Sequence, residues 1–375
     1  MIPRSLSIQD NLQAGKVFIL YGARQVGKTT LVKKFLSMTS LKYRYDTGDN
    51  FQIADQLSRC TYQSTQDHVG NNELIVIDEA QKIENIGTAL KLMVDMNPKL
   101  HVIATGSSSF ELANMTNESL TGRKKVYQLF PISQHELAGI YAPSELKNNK
   151  QDFIVYGSYP EVVTLKGRKE KIELIREITY SYLIKDILEF DKIRNSEKIY
   201  KLLQLLAFQI GSEVSANELA QNVGIDVKTI QRYLDLLEKS YVIFSLNAYS
   251  TNPRKEISKG SKYYFYDLGI RNALINNFNL LDQRNDVGVM WENFMIVERI
   301  KRDAYMKKYK NYYFWRTYTQ KEVDFIEEYD GKIVAYEFKF KPQTTQSPKA
   351  WQDSYPDAQY STIHIDNYLE FITGT

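Results

Sequence analysis

The chain has 375 residues, 43% of them hydrophobic and 25% charged, with a formal net charge of +3. That balance suits two or three globular domains and excludes a chain-wide polycation, so nucleic-acid contact would need a local patch. The lone cysteine, Cys60, excludes an internal disulfide and fits a reducing compartment. No secretory signal is read at the start and no apolar run approaches the ~20 residues of a membrane span, so the expectation is a cytoplasmic protein without membrane segments.

The first element is the short apolar run 17–21, VFILY, which reads as a buried strand. Gly22-Ala23-Arg24-Gln25-Val26-Gly27-Lys28-Thr29-Thr30 follows, and then LVKKFL with helical spacing. A G-x-x-x-x-G-K-T motif between strand and helix is the context of a P-loop. The glycines let the backbone curl until its N–H groups face phosphate oxygens, and the helix brings its positive end to the same place. Lys28 is expected to reach the β- and γ-phosphates of ATP, and Thr29 to offer its hydroxyl to Mg2+.

Leu74–Ile77 is a second buried strand, ending in Asp78-Glu79. Carboxylates at the C-terminal edge of a parallel strand sit where open α/β sheets bind ligands. Asp78 is expected to hold Mg2+, and Glu79 to act as general base on the attacking water. YRYDTGD (43–49) reads as an extra strand between these two along the chain. With Glu directly after Asp, the pattern resembles the additional-strand class of P-loop ATPases that includes the AAA+ proteins. That resemblance implies a γ-phosphate sensor at the end of the next strand, 101–105, where Thr105 and Ser107 match; Ser109 reads equally as a helix cap. It also implies an arginine finger just before a fifth strand, KVYQLF (125–130), where Arg123 stands. A finger requires a homo-oligomer; the alternative is a local ion pair.

Together GARQVGKTTL, VIDEAQ, ATGSSS, LTGRK and GSYPEV (157–162) resemble a narrower family, the prokaryotic AAA-type ATPases that carry a C-terminal domain of uncharacterised function with a restriction-endonuclease-like core. The resemblance spans almost the whole chain. It departs at Ala23, where Arg is common, and at Ser158, where a second Gly is common; neither touches the P-loop chemistry.

Residues 133–195 read as a helical lid or linker, with YSYLIKDILEF (180–190) carrying an apolar face. In 196–265, KIYKLLQLLAFQIG is an amphipathic helix and Ser215 to Glu218 a capping box. Gly224 makes a turn before VKTIQRYLDLLEKS, and YVIFSLNAYS supplies wing strands. Leu219, Val223, Ile225, Ile230, Leu234 and Leu237 form the expected core of this winged helix-turn-helix. Lys228, Thr229, Gln231 and Arg232 face outward and are types that read DNA, while Asp235 and Glu238 weaken the field; packing or dimerisation is the other use of such a module.

In the last part, 266–375, Asp330-Gly331 signals a two-residue hairpin turn. Pairing back from it sets Asp324 opposite Glu337 and Glu322 opposite Lys339, all on one face, with Val323, Phe325, Tyr336 and Phe338 on the other. Opposed carboxylates repel unless something, such as a divalent metal, neutralises them. The pattern resembles the PD-(D/E)xK nuclease signature, without its usual proline. The resemblance implies Asp324 and Glu337 as metal ligands, Lys339 as the water- or phosphate-steadying lysine, and Glu292 on the preceding helix as the added acid. The alternative is a degenerate nuclease fold with Glu322–Lys339 as a surface salt bridge.

The expectation is therefore an α/β chain: a P-loop AAA+ ATPase core over 1–132 with its helical lid, a winged-helix middle, and a C-terminal α/β restriction-endonuclease-like domain. Its cofactors would be ATP and Mg2+, and its partner double-stranded DNA through the winged helix and C-terminal domain. The rival expectation is an ATP-gated protein-interaction switch with an inactive nuclease-like domain.

Overall fold

The computed structural model describes residues 2–106, 120–183, 196–250, 260–317, 319 and 321–374. They form two compact units: Arg4–Phe130 with Lys239–Tyr241, and the remainder.

The first unit is a five-stranded parallel sheet of β1 (Val17–Tyr21), β2 (Tyr43–Thr47), β3 (Leu74–Asp78), β4 (His101–Gly106) and β5 (Lys124–Gln128). Val17, Ile19, Ile75, Ile77, Val102 and Ala104 pack with Ile53, Leu57, Val69, Leu90 and Met93 from three helices. Their alternates Phe18, Leu20, Val76 and Ile103 are equally buried. Burial of both faces is why these strands read as unbroken apolar runs. The strand order is β2-β3-β4-β1-β5. The 43–47 strand lies between the P-loop and acidic strands only along the chain; in the sheet it takes the edge beside β3, and β4 separates β1 from β3. The half-exposed YRYDT segment suits an edge, whereas the interior place needs the buried VIAT of β4.

The second unit holds a mixed sheet of seven strands in the order β12-β11-β10-β9-β7-β8-β6. These are β6 (Glu213–Val214), β7 (Ile243–Ala248), β8 (Ser261–Phe265), β9 (Asn311–Arg316), β10 (Glu322–Tyr329), β11 (Lys332–Lys339) and β12 (Gln359–His364). The expected wing strands do not form a separate sheet, since β7 pairs in parallel with β9 at Asn247↔Tyr313 and Ala248↔Phe314. Of the 180–190 stretch, residues 184–190 lie outside the described residues. The helices of 134–177 pack inside this unit: the Asn272 amide donates to Ile154 O at 3.1 Å and Val155 O at 2.9 Å. The GSYPEV motif has a structural use here. Gly157 has φ +83 and a Cβ on it would stand 2.0 Å from Asp267 Oδ1, while the Ser158 N–H donates to Asp267 Oδ2 at 2.7 Å. Among the described residues no helix is long and apolar enough to cross a membrane.

The Asp330-Gly331 turn has φ +49 and +70, and β10 pairs β11 in the expected register from Tyr329↔Lys332 to Phe325↔Tyr336. On its other edge β10 carries a bulge against β9 between Val323 and Ile326. A bulge inserts one residue and reverses the alternation beyond it. Val323 therefore joins Ile326, Ala335, Trp315 and Trp351, whereas Phe325 stacks on Tyr312 and meets Tyr336 and Phe338. The expectation that Val323 and Phe325 share a face is corrected for that reason.

Candidate functional site

The P-loop runs from β1 into α1 (Lys28–Leu36). Gly22 has φ +152 and a Cβ there would stand 2.1 Å from Leu129 O, so only glycine fits. Gly27 caps α1 in the left-handed region with no side-chain cap, which leaves the first helical N–H groups for a ligand. Lys28 is 5% exposed and folds back on its loop, its Nζ donating to Gly22 O at 2.8 Å and Ala23 O at 2.9 Å. Arg24 is half-buried, and Gln25 and Thr30 are exposed. Arg4, which the motif does not include, ties Val26 O of the loop to Phe130 O after β5, both at 2.6 Å.

Asp78 at the end of β3 is buried and collects three hydroxyls. Thr29 Oγ1 donates to its Oδ2 at 2.8 Å and Tyr45 OH at 2.7 Å, while Thr105 Oγ1 donates closely to Oδ1. Burial, then Asp78, then Glu79, push the Tyr45 hydroxyl well above the usual tyrosine range, so it stays a donor. Glu79 follows in the left-handed region at φ +50. Its N–H donates to Thr105 Oγ1 at 3.3 Å and its Oε2 accepts from the Gln81 amide at 2.6 Å. Thr29, Asp78, Glu79 and Thr105 are thus brought to one place. Tyr45 and Gln81 join them without any spacing signal; only the pairing of β2 with β3 brings Tyr45 there. Ser107 lies outside the described residues.

Arg123 sits elsewhere. Its carbonyl accepts from Val17 N at 2.8 Å, which puts it at the opposite end of β1 from the P-loop, roughly 15 Å away at ~3.3 Å per residue. Its guanidinium pairs with Asp95.

In the second unit α2 (Ala216–Val223) buries Leu219 and Val223 and α3 (Val227–Lys239) buries Ile230, Leu234 and Leu237, with Ile225 between them half-buried. Lys228, Gln231 and Arg232 are exposed on α3. Thr229 is spent on a cap, donating from N at 2.9 Å and Oγ1 at 2.6 Å to Asp226.

The acidic residues expected to hold a nuclease metal have protein partners instead. Glu292, on α4 (Val287–Tyr305), accepts from Tyr264 OH at 2.6 Å and stands 3.6 Å from Lys262 Nζ. Glu322 pairs closely with Lys262 and lies 3.5 Å from Arg316. Asp324 Oδ2 accepts from Phe338 N at 2.8 Å, and Lys339 Nζ donates to Glu337 Oε1 at 2.7 Å. So Glu322 and Lys339 do not form the expected cross-strand pair, because the β10–β11 ladder ends at Phe325↔Tyr336 beside the bulge. Among the described residues no three His, Cys, Asp or Glu side chains are grouped to hold a metal ion, although Glu292 and Glu337 stand near enough to act on Asp324. Burial, then Glu292 and Glu337, raise the Asp324 carboxyl well above the usual range. Burial also raises Glu292, against the pull of Lys262 and Tyr264. Burial would lower the Lys262 ammonium, but Glu292 and Glu322 outweigh it and hold it above the ordinary value.

Comparison with known proteins divides the chain in three. An AAA domain matches residues 14–138, one domain of unknown function (DUF8612) matches 148–281, and another (DUF4143) matches 287–366. An uncharacterised protein of Mycobacterium tuberculosis is 25% identical over 361 residues, spanning 94% of this chain and 77% of that protein. One of Methanocaldococcus jannaschii is 25% identical over 382 residues, spanning 96% of this chain and 83% of that protein. Among solved structures, a Walker-type ATPase of Pyrococcus abyssi aligns with a TM-score of 0.44 at 16% identity, over 69% of this chain and 91% of that chain. The chain carries an AAA-type, P-loop nucleotide-binding domain, followed by two domains of unknown function.

Proposed function

We propose that the protein is a Mg2+-dependent ATPase whose nucleotide state repositions a DNA-associated C-terminal part. The observation that carries the ATPase reading is Asp78 drawing the P-loop Thr29 and the β4 Thr105 onto one carboxylate, with Glu79 next in the chain. A hydroxyl and a carboxylate are hard oxygen donors of the kind Mg2+ takes. Thr29 and Asp78 are the residues that would hold it, and its charge would offset that on the phosphates. Lys28 exchanges its two loop carbonyls for phosphate oxygens. Glu79 leaves Gln81 and takes the proton of the attacking water. Arg123, half-exposed and remote from its own chain's P-loop, serves a neighbouring copy in this reading.

The DNA part of the proposal rests on two features. The helix pair α2–α3 followed by strands β7 and β8 has the order of a winged helix, with Lys228, Gln231 and Arg232 outward. The order α4-β9-β10-β11-α5-β12, with α5 at Lys349–Ser354, is what this reading takes for a nuclease-like core. The second reading is an ATP-gated protein-interaction switch, favoured by the ion pairs that occupy the acidic residues of that core.

The test is ATP hydrolysis by purified protein with Mg2+, with and without duplex DNA, and Glu79→Gln as the blank. Stimulation by DNA that fades with salt supports the DNA reading. A rate indifferent to DNA moves the weight to the switch, and the absence of any hydrolysis over buffer overturns the ATPase reading.

A further inference from the structure

Lys262 enters the acidic cluster from β8 and is 2% exposed. Its ammonium pairs with Glu322 of β10 and stands 3.6 Å from Glu292 Oε1 of α4. Tyr264, two residues on, donates to the same Oε1 at 2.6 Å. The Phe314 ring centroid lies 5.2 Å from the ammonium. Arg316 of β9 adds a second cation, 3.5 Å from Glu322 and 3.2 Å from Glu213 of β6. Lys339 takes Glu337, and the Phe338 N–H takes Asp324.

We infer that Lys262 is a built-in cation standing where a nuclease-like core would hold a divalent ion, and that the cluster is an ion-pair staple joining β8, α4 and β10 rather than a hydrolytic centre. A buried ammonium and a divalent ion a few ångströms apart repel strongly where the dielectric is low. The ion would have to displace a lysine already paired with Glu322 and set beside Glu292. Within the one seven-stranded sheet the staple adds a side-chain link between β8 and β10, which are not neighbours in the strand order, so the two would move as one piece when DNA or a protein partner is engaged. The inference rests on the nuclease-like reading of this core, leaves the ATPase reading untouched and argues against DNA cleavage by the cluster.

The test is Mn2+ binding, by titration calorimetry and by loss of the free-ion EPR signal, in full-length chain whose P-loop is silenced by Asp78→Asn. With Lys262 in place, the Mn2+ bound should be unchanged by Glu337→Gln. Lys262→Met, which keeps the stem and drops the charge, should gain a Mn2+ site that Lys262→Met with Glu337→Gln lacks. Mn2+ binding by the Lys262 chain that Glu337→Gln abolishes would overturn the inference. So would a folded Lys262→Met chain that gains no site. If Lys262→Met does not fold, the comparison of the Lys262 chain with its Glu337→Gln variant still decides it.

Discussion

Two groups of carboxylates sit at or near strand ends in this protein, the second completed by Glu292 from helix α4, and their main partners differ in kind. Asp78 is surrounded by the hydroxyls of Thr29, Tyr45 and Thr105. Glu292, Glu322 and Glu337 are surrounded by Lys262, Arg316 and Lys339. A hydroxyl satisfies a carboxylate by one hydrogen bond and keeps a lone pair for a cation, so the charge stays available. An ammonium or guanidinium has no lone pair to give and neutralises the charge outright. The same residue types at similar places in a strand thus leave one site ready for Mg2+ and the other already balanced.

The comparison can be broken at several points. The largest expected effect is on Glu79→Gln, which should lower steady-state hydrolysis about 10²–10⁴-fold, the usual worth of a general base, while nucleotide affinity stays within a few-fold. Unchanged turnover would mean that another group takes the proton. In the second cluster, Lys262→Met should destabilise its unit by about 3–5 kcal/mol, since removing one partner strands buried charge. Denaturant midpoints would read this, and a loss below about 1 kcal/mol would show that the staple is slack.

A third carboxylate sharpens the contrast. Asp267 is buried and held by the N–H groups of Ser158, Gly269 and Ile270. Burial, only partly offset by Lys301 and those N–H groups, raises its carboxyl from 3.8 to about 6. A raised folded value means that the folded state binds the proton more tightly. The stability it contributes is complete below pH 4 and is lost as pH rises through 6. At ~1.4 kcal/mol per unit this is roughly 3 kcal/mol. Urea midpoints between pH 4 and 7 should fall more in the native chain than in Asp267→Asn; parallel curves would refute it.

Lys28→Ala should weaken ATP by about 10–100-fold, the worth of charge-assisted bonds of about 1.5–3 kcal/mol, read by calorimetry. Retained affinity would place the nucleotide elsewhere. The smallest stability effect is expected of Arg123→Ala, at most about 1 kcal/mol for a half-exposed pair with Asp95. If Arg123 serves a neighbour, hydrolysis per chain should nevertheless fall and should rise with concentration in the native protein. Equal rates in both would leave it an ion pair and nothing more.

Much of the ATPase site was legible in the residues. The glycines, Lys28, Thr29, Asp78 and Glu79 announce themselves because strand, turn and helix are contiguous, and phosphate chemistry tolerates few alternatives. The turn at Asp330-Gly331 and the register beside it were equally legible, since a two-residue loop dictates which residues face each other. What escaped came from contacts distant along the chain. The bulge between Val323 and Ile326 is a property of the pairing of β10 with β9, and it undid the predicted division of faces. Tyr45 reaches Asp78 only because β2 lies beside β3, and Arg4 reaches Val26 across the fold.

Local order in the chain determined the P-loop, the acidic strand, the helix pair and the hairpin, because hydrogen-bonding geometry and hydrophobic period act over a few residues. Only the tertiary structure decided what each carboxylate faces. Lys262 is 60 residues from Glu322 along the chain yet pairs with it directly. Electrostatics depends on separation in space and on burial, and neither is written in the spacing of a motif.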